Sequence, residues 1–365
     1  MQKLADETAD APVRILKEED FGTFPVLLLS LSGRIEEYLE QASPGELTDE
    51  VTAFYFRVTE FQGACGRATD RYLSYARRCD DGRLQICVRC MDPSADLQEC
   101  MDRGRAAVLF SATLLPVGYY RSLLSGRQDD YAVYASSSFD PSRRRILIGR
   151  DVSTLYRRRS PEMYRRIAAY IRIVTRARSG NYMVFFPSYR MMEETADVFE
   201  GEMDPGVLTV RQESGMSEER KEEFLSLFSR QAEGEGPAQT LIGFCVMGSV
   251  FSEGIDLRYD SLIGVIVAGT GLPQVGEDRE LLKSWFDRRG MDGFFYAYTC
   301  PGFSKVMQAA GRVIRTEKDR GVIVLLDERF TQYSYRKLFP REWSDAEYVT
   351  LDNAAARLEQ FWDLI

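Results

Sequence analysis

At 365 residues the chain exceeds what one ordinary hydrophobic core organises, so two or more domains are expected. Histidine is absent, which excludes Ser-His-Asp hydrolases, Cys-His proteases and HExxH metalloproteases and leaves Asp, Glu, Arg, Lys, Cys and hydroxyls to carry any chemistry. A net charge of −9 argues weakly against nucleic acid as a partner, but that charge is unevenly spread. Apolar residues make up 44%, and no apolar run reaches membrane-span length, since Phe24 to Leu31 is broken by Ser30 and followed by Ser32. The acidic N-terminus lacks a secretory pattern, and seven scattered cysteines, an odd number, point to a reducing compartment. The expectation is a soluble cytoplasmic protein without a membrane partner.

In chain order, residues 20–78 read mostly helical, with Ile35, Tyr38 and Leu39 at helical spacing and Pro44 or Gly45 as breaks. Alternation sets in from Tyr72, and Leu84, Ile86, Val88 and Cys90 fall on one face of a strand. Ala106 to Phe110 reads as a short buried strand leading into Ser111-Ala-Thr-Leu-Leu-Pro116. Beyond Pro141, strands and helices alternate. A helix at about 161–178 precedes a strand Tyr182–Phe186, and a helix Tyr189–Glu200 precedes Leu208–Val210. A helix Ser217–Gln231 precedes Leu241–Val246. Leu262–Ala268, helices over 277–289 and 302–314, and the strand Val322–Leu326 follow. Such alternation predicts a parallel sheet covered by helices on both faces.

Charge is clustered. Residues 1–62 hold five basic and thirteen acidic side chains, whereas Arg143 to Arg178 spans twelve arginines against Asp151 and Glu162 alone. Two readings stay open for that block: a footprint for a phosphate backbone, or a stretch neutralised by acids brought in from elsewhere in the fold. Cys79, Cys87, Cys90 and Cys100 do not make a convincing metal knuckle. Cys87 and Cys90 point to opposite faces of one strand, and no glycine turn lies between Leu84 and Met91.

The segment Gln308-Ala-Ala-Gly-Arg-Val-Ile-Arg315 carries the strongest chemical signal. On a helix, Arg312 and Arg315 share one face, and a guanidinium fork binds two phosphate oxygens at once. This QxxGRxxR segment resembles motif VI of superfamily 2 helicases. Other segments follow the same pattern in the same order. Phe110-Ser-Ala-Thr-Leu-Leu-Pro-Val-Gly-Tyr-Tyr120 resembles motif III, Val184-Phe-Phe-Pro-Ser-Tyr189 motif IV, and Gly248-Ser-Val-Phe-Ser-Glu-Gly-Ile-Asp-Leu257 motif V. Cys90-Met-Asp-Pro-Ser94 and Gly269-Thr-Gly-Leu-Pro-Gln274 are similar to the bacterial DinG-like branch. Over about residues 72–340 the chain resembles the C-terminal half of an XPD/DinG-like helicase.

That resemblance implies an α/β fold: a RecA-like (P-loop NTPase-type) domain over 131–365, the end of a first motor domain over 79–130, and a partial arch-like helical segment over 1–78. It implies ATP-dependent movement on single-stranded DNA and duplex unwinding, 5′ to 3′, in repair or replication. Arg315 becomes the arginine finger, with Arg312 beside it. Gln308, Gly311, Glu253, Gly254 and Asp256 line the nucleotide, and Ser111, Thr113, Ser188 and Tyr189 meet the DNA backbone. Phe294, Phe295 and Tyr296 are either base-stacking aromatics or core.

One departure matters. No GxxxxGK[ST] loop and no DEAH-type box occurs, and none of the seven lysines follows a glycine. ATP and Mg²⁺ are therefore expected to be bound mainly by an N-terminal motor half, supplied upstream or by a separate chain, and this chain alone is expected to be inactive. No metal site is expected in it. The apolar run Val322–Leu326 ending in Asp327-Glu328 imitates a magnesium-binding strand, but a local pair between Asp327 and Arg329 is the expected reading. Two other classes stay open: a non-catalytic binding module derived from a helicase, and a RecA-like motor acting on RNA or protein.

Overall fold

The computed structural model describes residues 13–79, 81–127, 129–232, 239–251 and 262–363. The chain divides into two compact units, one of residues 1–108 and 121–130, the other of 109–120 and 131–365. The motif III segment thus groups with the larger unit. The expected boundary after residue 78 falls in the turn of a hairpin, between β2 and β3 below.

In the smaller unit β1 (Val13–Leu16) pairs antiparallel with β2 (Tyr72–Arg78), which pairs antiparallel with β3 (Leu84–Cys90). Leu16, Ala76, Leu84 and Ile86 make its small apolar centre. Between β1 and β2 run α1 (Phe24–Gln41) and α2 (Glu46–Arg67), which meet through Ser32 Oγ donating to Gln62 Oε1 at 3.0 Å and through Phe24 edge-on to Phe61 at 6.1 Å. Their buried apolar positions are Ile35 and Val58, while Val26, Leu27, Leu29, Leu47 and Phe56 stay exposed. After β3, α3 spans Ser94–Asp102.

Ala106–Phe110 is not a strand. It joins neither sheet, and Val108 and Phe110 are 82% and 88% exposed. A strand forms only where a neighbour takes up its backbone donors and acceptors, and no described strand lies beside this run. After it, α4 spans Val117–Leu124.

The larger unit is built on β4 (Arg144–Gly149), β5 (Asn181–Phe186), β6 (Val207–Arg211), β7 (Thr240–Val246), β8 (Gly264–Ala268), β9 (Gly321–Leu326) and β10 (Glu347–Val349). Their order is β10-β4-β9-β8-β5-β7-β6, and every pairing is parallel. The connecting helices are α5 (Pro161–Ala177), α6 (Tyr189–Glu200), α7 (Glu218–Ala232), α8 (Glu277–Asp287), α9 (Cys300–Ala310) and α10 (Leu351–Asp363).

Side chains alternate across the sheet, and each set finds its own cover. Ile146, Met183, Phe185, Val265, Val267, Ile323 and Leu325 face Phe224 and Phe228 of α7 and Phe303, Val306 and Met307 of α9. Leu147, Val184, Phe186, Ile242, Ile266, Val322 and Val324 face α5, α6 and α10, through residues such as Ile167, Ile171, Met192, Leu358 and Phe361. Expected elements from 161 to 326 hold to within a few residues at their ends, except at α9. The strands β1, β4 and β10 and the closing helix α10 were not anticipated.

Phe303 is fully buried, stacks on Phe339 with centroids 5.6 Å apart and meets Trp343 edge-on. Phe303→Ala is therefore expected to lower stability by about 3–5 kcal/mol, read as a reduced urea midpoint at unchanged slope. A midpoint within error of wild type would mean that this layer of the core is loose.

Candidate nucleotide and nucleic-acid site

The carboxyl ends of parallel strands are where ligands usually lie, because loops diverge there and backbone amides are free to point outward. Four segments singled out from the sequence emerge at such ends. Pro187-Ser188-Tyr189 follows β5, Met247-Gly248-Ser249 follows β7, Gly269–Gln274 follows β8, and Asp327 follows β9.

Ser188 caps α6: its backbone is extended and its Oγ accepts from the Met191 amide at 3.4 Å. The Tyr189 hydroxyl accepts from Gln212 Nε2 at 2.9 Å, while Gln212 Oε1 takes the Val246 amide at 2.9 Å and the Gln212 amide donates to the Phe244 carbonyl. Gln212 is buried, so this one amide ties the motif IV side chain to the strand leading into motif V. Gln212 was not anticipated. An isolated glutamine just beyond a strand carries no recognisable motif.

Gly248 has φ +75, and a Cβ on it would lie 2.9 Å from Cε of Lys305 on α9. A glycine there lets the lysine stem run across the motif V backbone. Glu253, Gly254 and Asp256 lie outside the described residues. The next loop is held as closely. Gly271 has φ +68 and packs on the Gly302 carbonyl, and a Cβ on Gly302 would sit 2.9 Å from the Leu272 amide nitrogen. The Gly269–Gln274 loop and the first turn of α9 are thus in backbone contact, with no room for a side chain on either.

The motif VI octet differs from the helical expectation. α9 ends at Ala310, and Gly311 closes it, its amide donating to the Met307 carbonyl at 2.9 Å. Gln308 stands half-buried in the last turn. Arg312 and Arg315 lie beyond the helix in tight turns, so a shared helix face does not relate them. Val313 is buried against the core and pulls the chain out of helical register. Asp319 then fixes the second turn: its carboxylate accepts from the Arg315 and Thr316 amides, each at 2.7 Å, and from the Thr316 hydroxyl at 2.7 Å. The Arg315 backbone is held by a buried acid.

Ser111 and Thr113 sit in an exposed turn, Oγ to Oγ1 3.3 Å, with the Thr113 amide donating to Ser111 Oγ. That segment is anchored downstream. Leu115 packs on the core, Tyr120 donates to Ser304 Oγ at 3.3 Å, and Tyr119 lies 5.3 Å from Tyr296. Tyr296 also stacks on Phe286 at 4.2 Å, and Phe295 packs beside Tyr119 and the core. Core packing accounts for these two aromatics. Phe294, half-exposed and stacked on Tyr298 at 5.1 Å, keeps an open face.

Asp327 does pair with Arg329. The guanidinium donates to both carboxylate oxygens, at 2.7 and 2.9 Å; the Arg329 amide adds a second bond to Oδ1 at 2.9 Å, and the Thr154 amide and hydroxyl donate to Oδ2 at 2.9 and 2.5 Å. Burial alone pushes the Asp327 pKa up, but the Arg329 hydrogen bonds and charge, with Thr154, outweigh it and hold the carboxyl below its ordinary value. Every acceptor is spent on the protein, which suits a fastener between the β4 and β9 loops. Among the described residues no cluster of three metal-ligating side chains is assembled, and none of the seven cysteines is in a disulfide.

Seven of the twelve arginines of the block pair with acids, five with acids from elsewhere in the fold and two, Arg165 and Arg166, with acids of the block itself. Arg144 pairs with Asp345, Arg145 with Glu347, Arg158 with Glu328, Arg165 with Glu162, Arg166 with Asp151, Arg172 with Glu202 and Arg176 with Asp204. Neutralisation is the better reading for these seven of the twelve.

With this geometry established, comparison with known proteins places the chain. Residues 171–346, within the larger unit, match a family model described as the helicase C-terminal domain. The chain is 26% identical over 273 residues to the ATP-dependent DNA helicase YoaA of Escherichia coli K12, covering 73% of this chain and 40% of YoaA. It is 26% identical over 291 residues to the human regulator of telomere elongation helicase 1, covering 72% of this chain and 23% of that protein. The chain therefore spans less than half of the curated relatives it matches. A solved XPD structure in its apo form shares the fold over 95% of this chain and 67% of its own, at 20% identity and a TM-score of 0.56. The family model, the helicase relatives and the shared XPD fold together support the C-terminal half of an XPD/DinG-like superfamily 2 helicase as what this chain resembles.

Because Asp327 is wholly buried, Asp327→Asn strands the Arg329 charge and is expected to cost about 3–5 kcal/mol. Its lowered pKa also sets a pH signature. The stabilisation is full above the unfolded carboxyl value of about 3.9 and is lost as pH falls through the folded value. Melting temperatures followed from pH 6 downward should fall more steeply below about pH 4 in wild type than in Asp327→Asn. Parallel curves would show that the pair contributes no pH dependence.

Proposed function

We propose that this chain is the C-terminal motor part of an ATP-dependent DNA helicase. In this reading it works with an N-terminal motor half that supplies the triphosphate loop and magnesium acids, and ATP hydrolysis drives 5′ to 3′ movement on single-stranded DNA with duplex unwinding, in repair or replication. The helicase C-terminal match over residues 171–346, which contains the motif VI turn, carries the proposal. Arg315 acts as the arginine finger on the γ-phosphate, with Arg312 beside it and Gln308 and Gly311 shaping the turn. Glu253, Gly254 and Asp256 link nucleotide state to strand position. Charge building on the transferring phosphoryl group is what a guanidinium stabilises, and such fingers contribute roughly 10³–10⁵ in rate where the effect has been resolved.

The arrangement around Arg315 supports that role. Asp319 holds the backbone on both sides of the Arg315–Thr316 peptide, so the turn that carries Arg315 is set through its own amides. Contact with the DNA backbone is assigned to Ser111, Thr113, Ser188 and Tyr189. Ser111 and Thr113 present exposed hydroxyls, whereas the Ser188 and Tyr189 oxygens already accept protein hydrogen bonds, leaving them to act through their second lone pairs or their own O–H.

The chain by itself is expected to show only background ATP turnover, with or without single-stranded DNA. Supplied with an N-terminal half bearing the triphosphate loop, it should turn over ATP, and Arg315→Ala should lower kcat by orders of magnitude while nucleotide binding weakens far less. Arg315→Lys should not restore it, because an ammonium lacks the planar fork. A normal kcat in a folded Arg315→Ala protein would remove Arg315 from the finger role.

A further inference from the structure

We infer that the amino-terminal end of the larger sheet carries a phosphate-binding site, formed by Arg143, Arg178 and Arg320 around the Phe361–Trp362 pair. It shares no residue with the motif segments, and it does not depend on the helicase reading.

Register brings two of the cations together. Arg144 pairs with Gly321 at the start of β4 and β9, so Arg143 and Arg320 immediately precede matched positions on adjacent parallel strands. Arg178 follows α5 just before β5. The aromatic pair closes α10, its ring centroids 4.8 Å apart. The Arg320 guanidinium carbon lies 4.5 Å from the Phe361 centroid and 5.8 Å from that of Trp362, and that of Arg178 lies 5.7 Å from Trp362. Arg320 also donates to the Phe361 carbonyl, and Arg143 to the Lys318 carbonyl at 3.0 Å.

Three features point to an absent acceptor. The seven arginines paired above all have acids, but among the described residues no carboxylate pairs with Arg143, Arg178 or Arg320. Two N–H donors, Arg320 Nε and Trp362 Nε1, are buried without a hydrogen-bond partner, although Trp362 as a whole is only 7% exposed. Burying a donor unpaired is costly, and a ligand oxygen would recover that cost. Burial, with the like charges of Arg143 and Arg178, also pushes the Arg320 pKa down, and a bound anion would relieve that repulsion. Planar guanidiniums on an aromatic floor suit a tetrahedral oxyanion with several acceptor oxygens, which is a phosphate. It could be free phosphate or the phosphodiester of a single strand.

The test is titration of the full chain with sodium phosphate and, separately, with a single-stranded oligonucleotide, at constant ionic strength, followed by tryptophan fluorescence and calorimetry. Saturable phosphate binding is expected, weakened at least tenfold by Arg178→Gln and by Arg143→Gln, both exposed positions, with Arg320→Lys failing to match wild type. Arg165→Gln, at an exposed arginine paired with Glu162, should change nothing. Oligonucleotide binding that weakens in step with the same variants assigns the site to a strand phosphodiester, and phosphate binding alone assigns it to a small phosphate. No saturable binding of either probe, or equal loss in Arg165→Gln, overturns the site. So does phosphate binding that appears only when a short Gly-Ser extension follows Ile365, since an acceptor from the chain's own end would then already fill the place.

Discussion

A parallel sheet must be buried on both faces, and the larger unit is organised by that requirement. Its crossover helices put one layer on each side, so every central strand has to be apolar at odd and even positions alike. β5, β8 and β9 meet this condition with fully buried runs. Polar function is thereby expelled from the strands to their ends. The motif segments sit in the turns where strands give out, and the side chains that do chemistry are held by loops whose backbones have been fixed by something else.

What fixes them is a short set of buried polar contacts and close glycine approaches. Asp327 with Arg329 and Thr154 ties the β4 and β9 loops together. Gln212 joins Tyr189 to the end of β7, Gly271 rests on Gly302, and Asp319 folds the turn behind Arg315. In the three polar cases one partner is buried, so leaving it unpaired would be costly, and the geometry is specified more narrowly than apolar packing alone would do. A finger arginine needs this kind of support, because a displacement of about 1 Å is enough to waste it.

The fold from 161 to 326 was legible because its strands are continuous apolar runs and its helices carry a buried stripe, so both periodicities are clean. Legibility failed where an element's identity depends on a distant neighbour. Val13–Leu16 becomes a strand only by pairing with Ser74–Arg77, which nothing local announces. Ala106–Phe110 has the residues of a strand but no described strand beside it. The end of α9 was misread for a different reason. Val313 and Ile314 extend the helical spacing of apolar residues, but Gly311 already marked the stop, and Val313 reaches the core from a turn instead. Of the candidate site, the motif positions were visible as patterns, whereas Gln212, Lys305, Thr154 and Asp319 were not, since each acts on a motif from outside it.

The arginine-rich block shows why composition alone could not decide the partner. Counted along the chain it looks like a nucleic-acid footprint; in the fold, acids from the α6–β6 loop and from the segment after β9, with Asp151 and Glu162 of the block itself, pair with seven of its twelve arginines. Surface pairs of this sort contribute little to stability, about 0–1 kcal/mol each, but they cancel a field that would otherwise attract any polyanion. A protein of net charge −9 can then bind phosphate only where guanidinium groups escape such pairing and face a shaped surface. Arg143, Arg178 and Arg320 meet that description in the described residues, so charge in this chain is concentrated by fold geometry and not by the run of arginines that first drew notice.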